Sequence, residues 1–145
     1  MTPPRPRAVL VVVAVLLSVL AGCAKDDGPV KPDYTPVPDA TLMSRIARLP
    51  GVADVDVTFQ KSFDYGTGYV GRIRVDPDVD AAAVLDRSYA ILRQGRYQVE
   101  ITVVAVQDGR QVSSAGFGLD AGTTAALDER YGPQPGDGKP PTSGG

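Results

Sequence analysis

The sequence predicts an α+β fold: an antiparallel four-stranded sheet with two helices on one face. Three observations lead there. Apolar residues recur at helical spacing twice, strict apolar–polar alternation recurs after each helix, and Asp108-Gly109 sits between the last two alternating runs. The order is helix-strand-strand, twice.

Asp39 follows Pro38 and offers an N-cap; Leu42, Ile46 and Leu49 then fall on one helical stripe with Arg45 and Arg48 outward. Pro50-Gly51 stops that helix. Ala53, Val55, Val57 and Phe59 alternate with Asp54, Asp56 and Thr58, which makes a half-buried strand. A loop from Gln60 to Gly68 leads to a second strand. It carries Tyr69, Ile73 and Val75 on one side and Arg72 and Arg74 on the other. Asp78 or Asp80 can cap the second helix, which runs to about Gln94 before Gly95. Tyr97, Val99, Ile101 and Val103 give the third strand. Asp108-Gly109 gives a type I′ hairpin turn, and Gln111 to Phe117 gives a fourth strand weakened by Gly116 and Gly118. Ala125 to Tyr131 can add a short C-terminal helix.

The amino terminus follows a different logic. Arg5 and Arg7 precede the uncharged run Ala8 to Leu20, which is too short for the roughly 20 residues a spanning helix needs. It ends in Leu20-Ala21-Gly22-Cys23, followed by Lys25-Asp26-Asp27. This resembles the lipobox of bacterial lipoproteins. The resemblance implies a signal peptide over residues 1–22, cleavage by a signal peptidase before Cys23, and a diacylglycerol on the Cys23 thiol. It further implies a chain held by its acyl chains on the extracytoplasmic face of the cell membrane, with the outer membrane as the alternative. Loss of Arg5 and Arg7 makes the net charge more negative than −2, so the anchor is acyl and not a basic patch.

The segment 23–38 is rich in Pro and charge and reads as a disordered tether. The folded domain is expected over 39–131, and the Gly- and Pro-rich 132–145 as a disordered tail. The turn Leu49-Pro50-Gly51-Val52, with the alternating valines after it, resembles small ferredoxin-like modules such as heavy-metal-associated domains. Their metal-binding cysteine pair is missing here, so their function does not carry over.

Composition narrows the chemistry. The chain has no histidine and a single cysteine, which removes the commonest general base and transition-metal ligand and forbids an internal disulfide. A basic nucleic-acid footprint is absent. Gly66-Thr67-Gly68-Tyr69-Val70-Gly71 matches G-x-G-x-x-G, but a strand follows where a dinucleotide site needs a helix. Asp76, Asp78 and Asp80 begin like a calcium loop, but Ala81 and Arg87 stand where it needs glycine and glutamate. No catalytic residue, metal site or cofactor is therefore assigned. The Gln60–Tyr69 loop concentrates Phe63, Tyr65 and Tyr69 and is the candidate binding loop. The expected function is a non-enzymatic envelope lipoprotein that binds a protein or envelope component. The alternatives are an assembly subunit of an envelope complex, docking through the sheet face with Arg72 and Arg74, and a carboxylate-based hydrolase of envelope polymers.

Overall fold

The computed structural model describes residues 32–61 and 66–142. Its elements are α1 (Asp39–Ala47), β1 (Val52–Lys61), β2 (Thr67–Val75), α2 (Ala81–Leu92), β3 (Glu100–Gln107), β4 (Arg110–Val112), a 3-10 turn (Ser114–Phe117) and α3 (Thr124–Tyr131). The fold class is α+β, with a four-stranded sheet in the order β1-β2-β3-β4.

The sheet is mixed, which corrects the antiparallel expectation and the ferredoxin-like arrangement drawn from it. β1 and β2 form an antiparallel hairpin, β3 and β4 a second, and β2 pairs with β3 in parallel, from Gly68 opposite Glu100 to Arg74 opposite Val106. The reason is geometric. β2 ends at Val75, α2 carries the chain back along the sheet, and a neighbouring strand entered after such a return must run the same way as the first.

Each turn has a local cause. Asp108 and Gly109 both have positive φ, 50° and 75°, as a type I′ hairpin requires. Gly51 has φ +81°, and a Cβ there would lie 2.3 Å from a Val79 methyl, so the stop after α1 and the loop before α2 interlock. Asp80 caps α2 by accepting the Ala83 N–H at 3.1 Å. Asp39 is not an N-cap: Pro38 holds that position, Asp39 begins the helix, and its carboxylate is used elsewhere.

Leu42 and Ile46 of α1 and Val84, Leu85, Tyr89 and Leu92 of α2 pack with Val57, Tyr69, Ile73, Val75, Ile101, Val103 and Ala105 in one core. Both helices therefore cover the same side of the sheet. Leu127 brings α3 into that core.

The expected fourth strand is much shorter than Gln111 to Phe117. It ends at Val112, and the chain turns into the 3-10 segment, placing Phe117 edge-on to the Tyr89 ring at 5.3 Å. The outer edge of β3 beyond β4 is satisfied from other sources. The Tyr89 hydroxyl donates to the Val103 carbonyl at 2.9 Å and accepts the Val103 N–H at 3.3 Å. Gly122 accepts the Ile101 N–H at 2.9 Å. Tyr97 and Val99, expected in the third strand, precede it, because Gln98 has φ 48° and breaks the extended run.

Both flanks of the expected domain are also held. Tyr34 donates to the Gly95 carbonyl at 3.0 Å, and the Val37 N–H to Gln94 at 2.9 Å. Beyond Tyr131, Gln134 donates to the carbonyls of Arg93 and Arg96 at 2.8 and 3.1 Å and accepts the Gln98 N–H at 2.8 Å. The ordered body thus extends past both ends of 39–131, and the turn after α2 is where the two flanks meet.

Two substitutions test this account. Tyr89→Phe leaves a buried β3 N–H and C=O without their partner. It should cost about 1–3 kcal/mol and lower the melting temperature by several degrees. Ile101→Asp places a charge where the side chain is 1% exposed and should abolish cooperative unfolding, since the whole domain is worth only about 5–15 kcal/mol. Thermal melts followed by circular dichroism check both.

Candidate functional site

Of the residues singled out in the sequence, Leu20, Ala21, Gly22 and Cys23 lie outside the described residues, as do Phe63 and Tyr65. Tyr69 is described, and the structure takes it out of any binding loop. Its side chain is fully buried. The ring packs edge-on to Phe59 at 5.8 Å, and the hydroxyl donates to Asp39 at 2.8 Å and accepts the Arg96 N–H at 3.3 Å. Alternation in β2 turns Tyr69 inward with Ile73 and Val75.

Tyr69 is the centre of a polar knot that joins three distant segments. Arg96 closes it by donating Nε and Nη2 to the other Asp39 oxygen at 3.1 and 2.8 Å, while its guanidinium lies 3.8 Å from the centre of the Phe59 ring. Gly95 makes room for it, since a Cβ there would lie 2.3 Å from the Tyr69 hydroxyl oxygen. Burial raises the Asp39 pKa, but the hydrogen bonds from Arg96 and Tyr69 outweigh it and hold the carboxyl below its ordinary value. Burial is the main reason the Tyr69 phenol is pushed up to about 12, with the Asp39 hydrogen bond and charge adding to it.

A second knot fastens α3. Arg130 forks onto Asp86 of α2, with Nε to Oδ1 at 3.1 Å and Nη2 to Oδ2 at 2.6 Å, and the Tyr131 hydroxyl donates to the same carboxylate. Arg93, 4% exposed, donates to Asp128 at 2.7 Å and to the Gly132 carbonyl. These are structural pairings in which every polar atom named has its partner.

The glycine motif is equally structural. Gly68 and Gly71 lie inside β2, where a Cβ would fall 2.2 Å from the Glu100 carbonyl oxygen and 2.1 Å from that of Asp56. They let β2 approach β3 on one side and β1 on the other. Of the aspartates after β2, Asp80 serves as a helix cap, and Gln107 gathers the carbonyls of Asp76 and Val79 at 2.8 and 2.7 Å.

Among the described residues, what remains open is the face of the sheet opposite the helices. Asp54, Asp56, Thr58 and Gln60 of β1 stand beside Arg72 and Arg74 of β2, Val104 and Val106 of β3, and Gln111 of β4. Register sets Asp54 opposite Arg74 and Asp56 opposite Arg72, and the ion pairs close at 2.9 and 3.3 Å. All four side chains are more than half exposed, so each pair adds at most about 1 kcal/mol. The result is a shallow, charge-alternating floor lined also by Val106, Gly109 and Gln111. The sequence placed the two arginines on this face. It did not show that each meets an aspartate, since that depends on the β1–β2 register.

Compared with protein-family models, curated proteins and solved structures, the chain matches none of them. Among the described residues, no helix is long and apolar enough to cross a membrane.

The Tyr69 knot makes alkaline stability testable. The folded-state pKa lies above the ordinary 10.0, so the folded state holds its proton more tightly than the unfolded chain. The stabilising contribution is complete below pH 10 and is lost as the pH rises toward about 12. Urea midpoints measured across that window should fall, and Tyr69→Phe should flatten the slope. Asp39→Asn should destabilise at neutral pH, by on the order of 1 kcal/mol given partial exposure. The difference from wild type should shrink as the pH falls through the depressed pKa of Asp39.

Proposed function

We propose that this chain is a lipid-anchored extracytoplasmic protein whose α+β body is a non-catalytic binding module for an envelope component. The observation that carries the reading is the ordered series of basic start, uncharged apolar run and Leu20-Ala21-Gly22-Cys23. In this reading Cys23 carries the acyl chains. Two or three chains suffice for stable anchoring at about 0.8 kcal/mol per buried CH₂. Tyr34 and Val37, within the stretch expected to be the tether, bond to the turn after α2 and belong to the body.

An assembly role in an envelope complex is the second reading, and the open sheet face favours it. Its arginines and aspartates are exposed and paired with each other at little energetic gain, so a partner can exchange those pairs for its own at small cost. The loop reading now stands on Phe63 and Tyr65 alone.

The anchor is tested by Cys23→Ser. Wild-type protein should sediment with membranes and show an acyl mass increment on the Cys23 peptide, and the variant should be released from them. An unmodified Cys23 thiol together with unchanged membrane association would refute the reading. For the assembly role, Arg72→Gln with Arg74→Gln should abolish crosslinking to an envelope partner in intact membranes. The melting temperature should move by no more than a few degrees, because the ion pairs lost are exposed.

A further inference from the structure

The two edges of the sheet are treated differently. On the β4 side, β4, the Tyr89 hydroxyl and Gly122 take up the outer hydrogen-bonding groups of β3. On the other side, β1 pairs with β2 from Val52 to Lys61 with a bulge at Ala53, and among the described residues no strand pairs with its outer edge. Such an edge is a template for another strand. Proteins usually blunt it with a short strand, a proline, a bulge or a central lysine. β1 is 10 residues long, contains no proline and has its only lysine at its last position, and its bulge at Ala53 leaves the span from Asp54 to Gln60 regular. Val55 and Phe59 on its core side remain half-buried.

We infer that β1 pairs antiparallel with β1 of a second copy, centred on Val57, joining two sheets into one of eight strands. This is independent of the lipid anchor. In a two-fold antiparallel pair, facing residues lie on the same side of the sheet, so only registers centred on a residue are open. Centring on Val57 sets Val55 against Phe59 and Val57 against itself, which continues the apolar layer across the junction. On the open face it sets Asp56 against Thr58 and Asp54 against Gln60, a carboxylate against a hydrogen-bond donor each time. The two Asp56 side chains lie diagonally apart, and each keeps its Arg72 partner.

The neighbouring registers are poorer. Centring on Asp56 faces that residue with itself, and centring on Val55 faces Asp54 with Asp56 twice; like charges directly opposite destabilise a sheet. Centring on Thr58 sets Val55 against Lys61 and runs Asp54 past the end of the strand. Charge complementarity and the length of regular pairing together therefore select one register and one occupant.

Thr58 discriminates, because it is exposed, makes no ion pair, and faces Asp56 of the second copy in this register. The full-length chain, purified in detergent, should self-associate in sedimentation equilibrium. Thr58→Asp, which creates two symmetry-related like-charge contacts, should weaken association by roughly tenfold, and Thr58→Lys should strengthen it. The outward-facing β1 amides should gain hydrogen-exchange protection as concentration rises. A chain that stays monomeric to about 100 μM, or a dimer indifferent to the sign of the charge placed at residue 58, overturns the inference. If Thr58→Asp proves unfolded by circular dichroism, Thr58→Lys decides alone: tighter association supports the register, and unchanged or weaker association refutes it.

Discussion

The return of the chain through α2 is the constraint on which the rest of the molecule depends. A helix from Ala81 to Leu92 spans about 18 Å at 1.5 Å per residue, roughly two thirds of the length of the strands it connects at about 3.3 Å per residue, and the loops at its two ends complete the return. It forces β2 and β3 to run in parallel at the centre of the sheet, and each central strand then carries a hairpin partner on its outer side. Its inward face meets the strands through Val84, Leu85, Tyr89 and Leu92. Its start is fixed by the Asp80 cap. Its end delivers Gly95 and Arg96 to the Tyr69 hydroxyl.

The polar knots follow from that placement. A parallel crossover brings the end of α2 beside the start of α1 and the start of β2, so Asp39, Tyr69 and Arg96 converge although they are far apart in sequence. Buried hydroxyls carry a desolvation cost that only a partner offsets. Tyr69 finds two partners, and Tyr89 finds them in a strand edge that β4 is too short to cover. The same turn takes the hydrogen bonds of Tyr34 and Val37 from one flank and of Gln134 from the other.

With one side of the sheet filled by helices, the other side and the β1 edge are, among the described residues, left for interaction. The open face carries charges in mutually satisfied pairs, which suits a surface that must stay soluble alone and still exchange partners. Joining two copies along β1 would extend that face into one continuous floor, a larger platform than a single four-stranded sheet provides.

Local features were legible in the sequence because they are decided locally. The periodicity of Leu42, Ile46, Val84, Leu85 and Leu92, the alternation in β1, β2 and β3, the positive-φ turn at Asp108-Gly109 and the cap at Asp80 all depend on residues within one or two turns of each other. The lipobox reading has the same local character, and it rests on sequence alone. Tertiary structure decided the rest. Strand direction in the β2–β3 pair was set by the α2 return, and the early end of β4 by the packing of Phe117 on Tyr89. The inward turn of Tyr69 was readable from alternation, but its partners Asp39 and Arg96 were not, because side chains 30 and 57 residues apart meet only once the crossover exists. The pairing of Asp54 with Arg74 and of Asp56 with Arg72 depended likewise on register, which period-2 alternation fixes only to the nearest two residues.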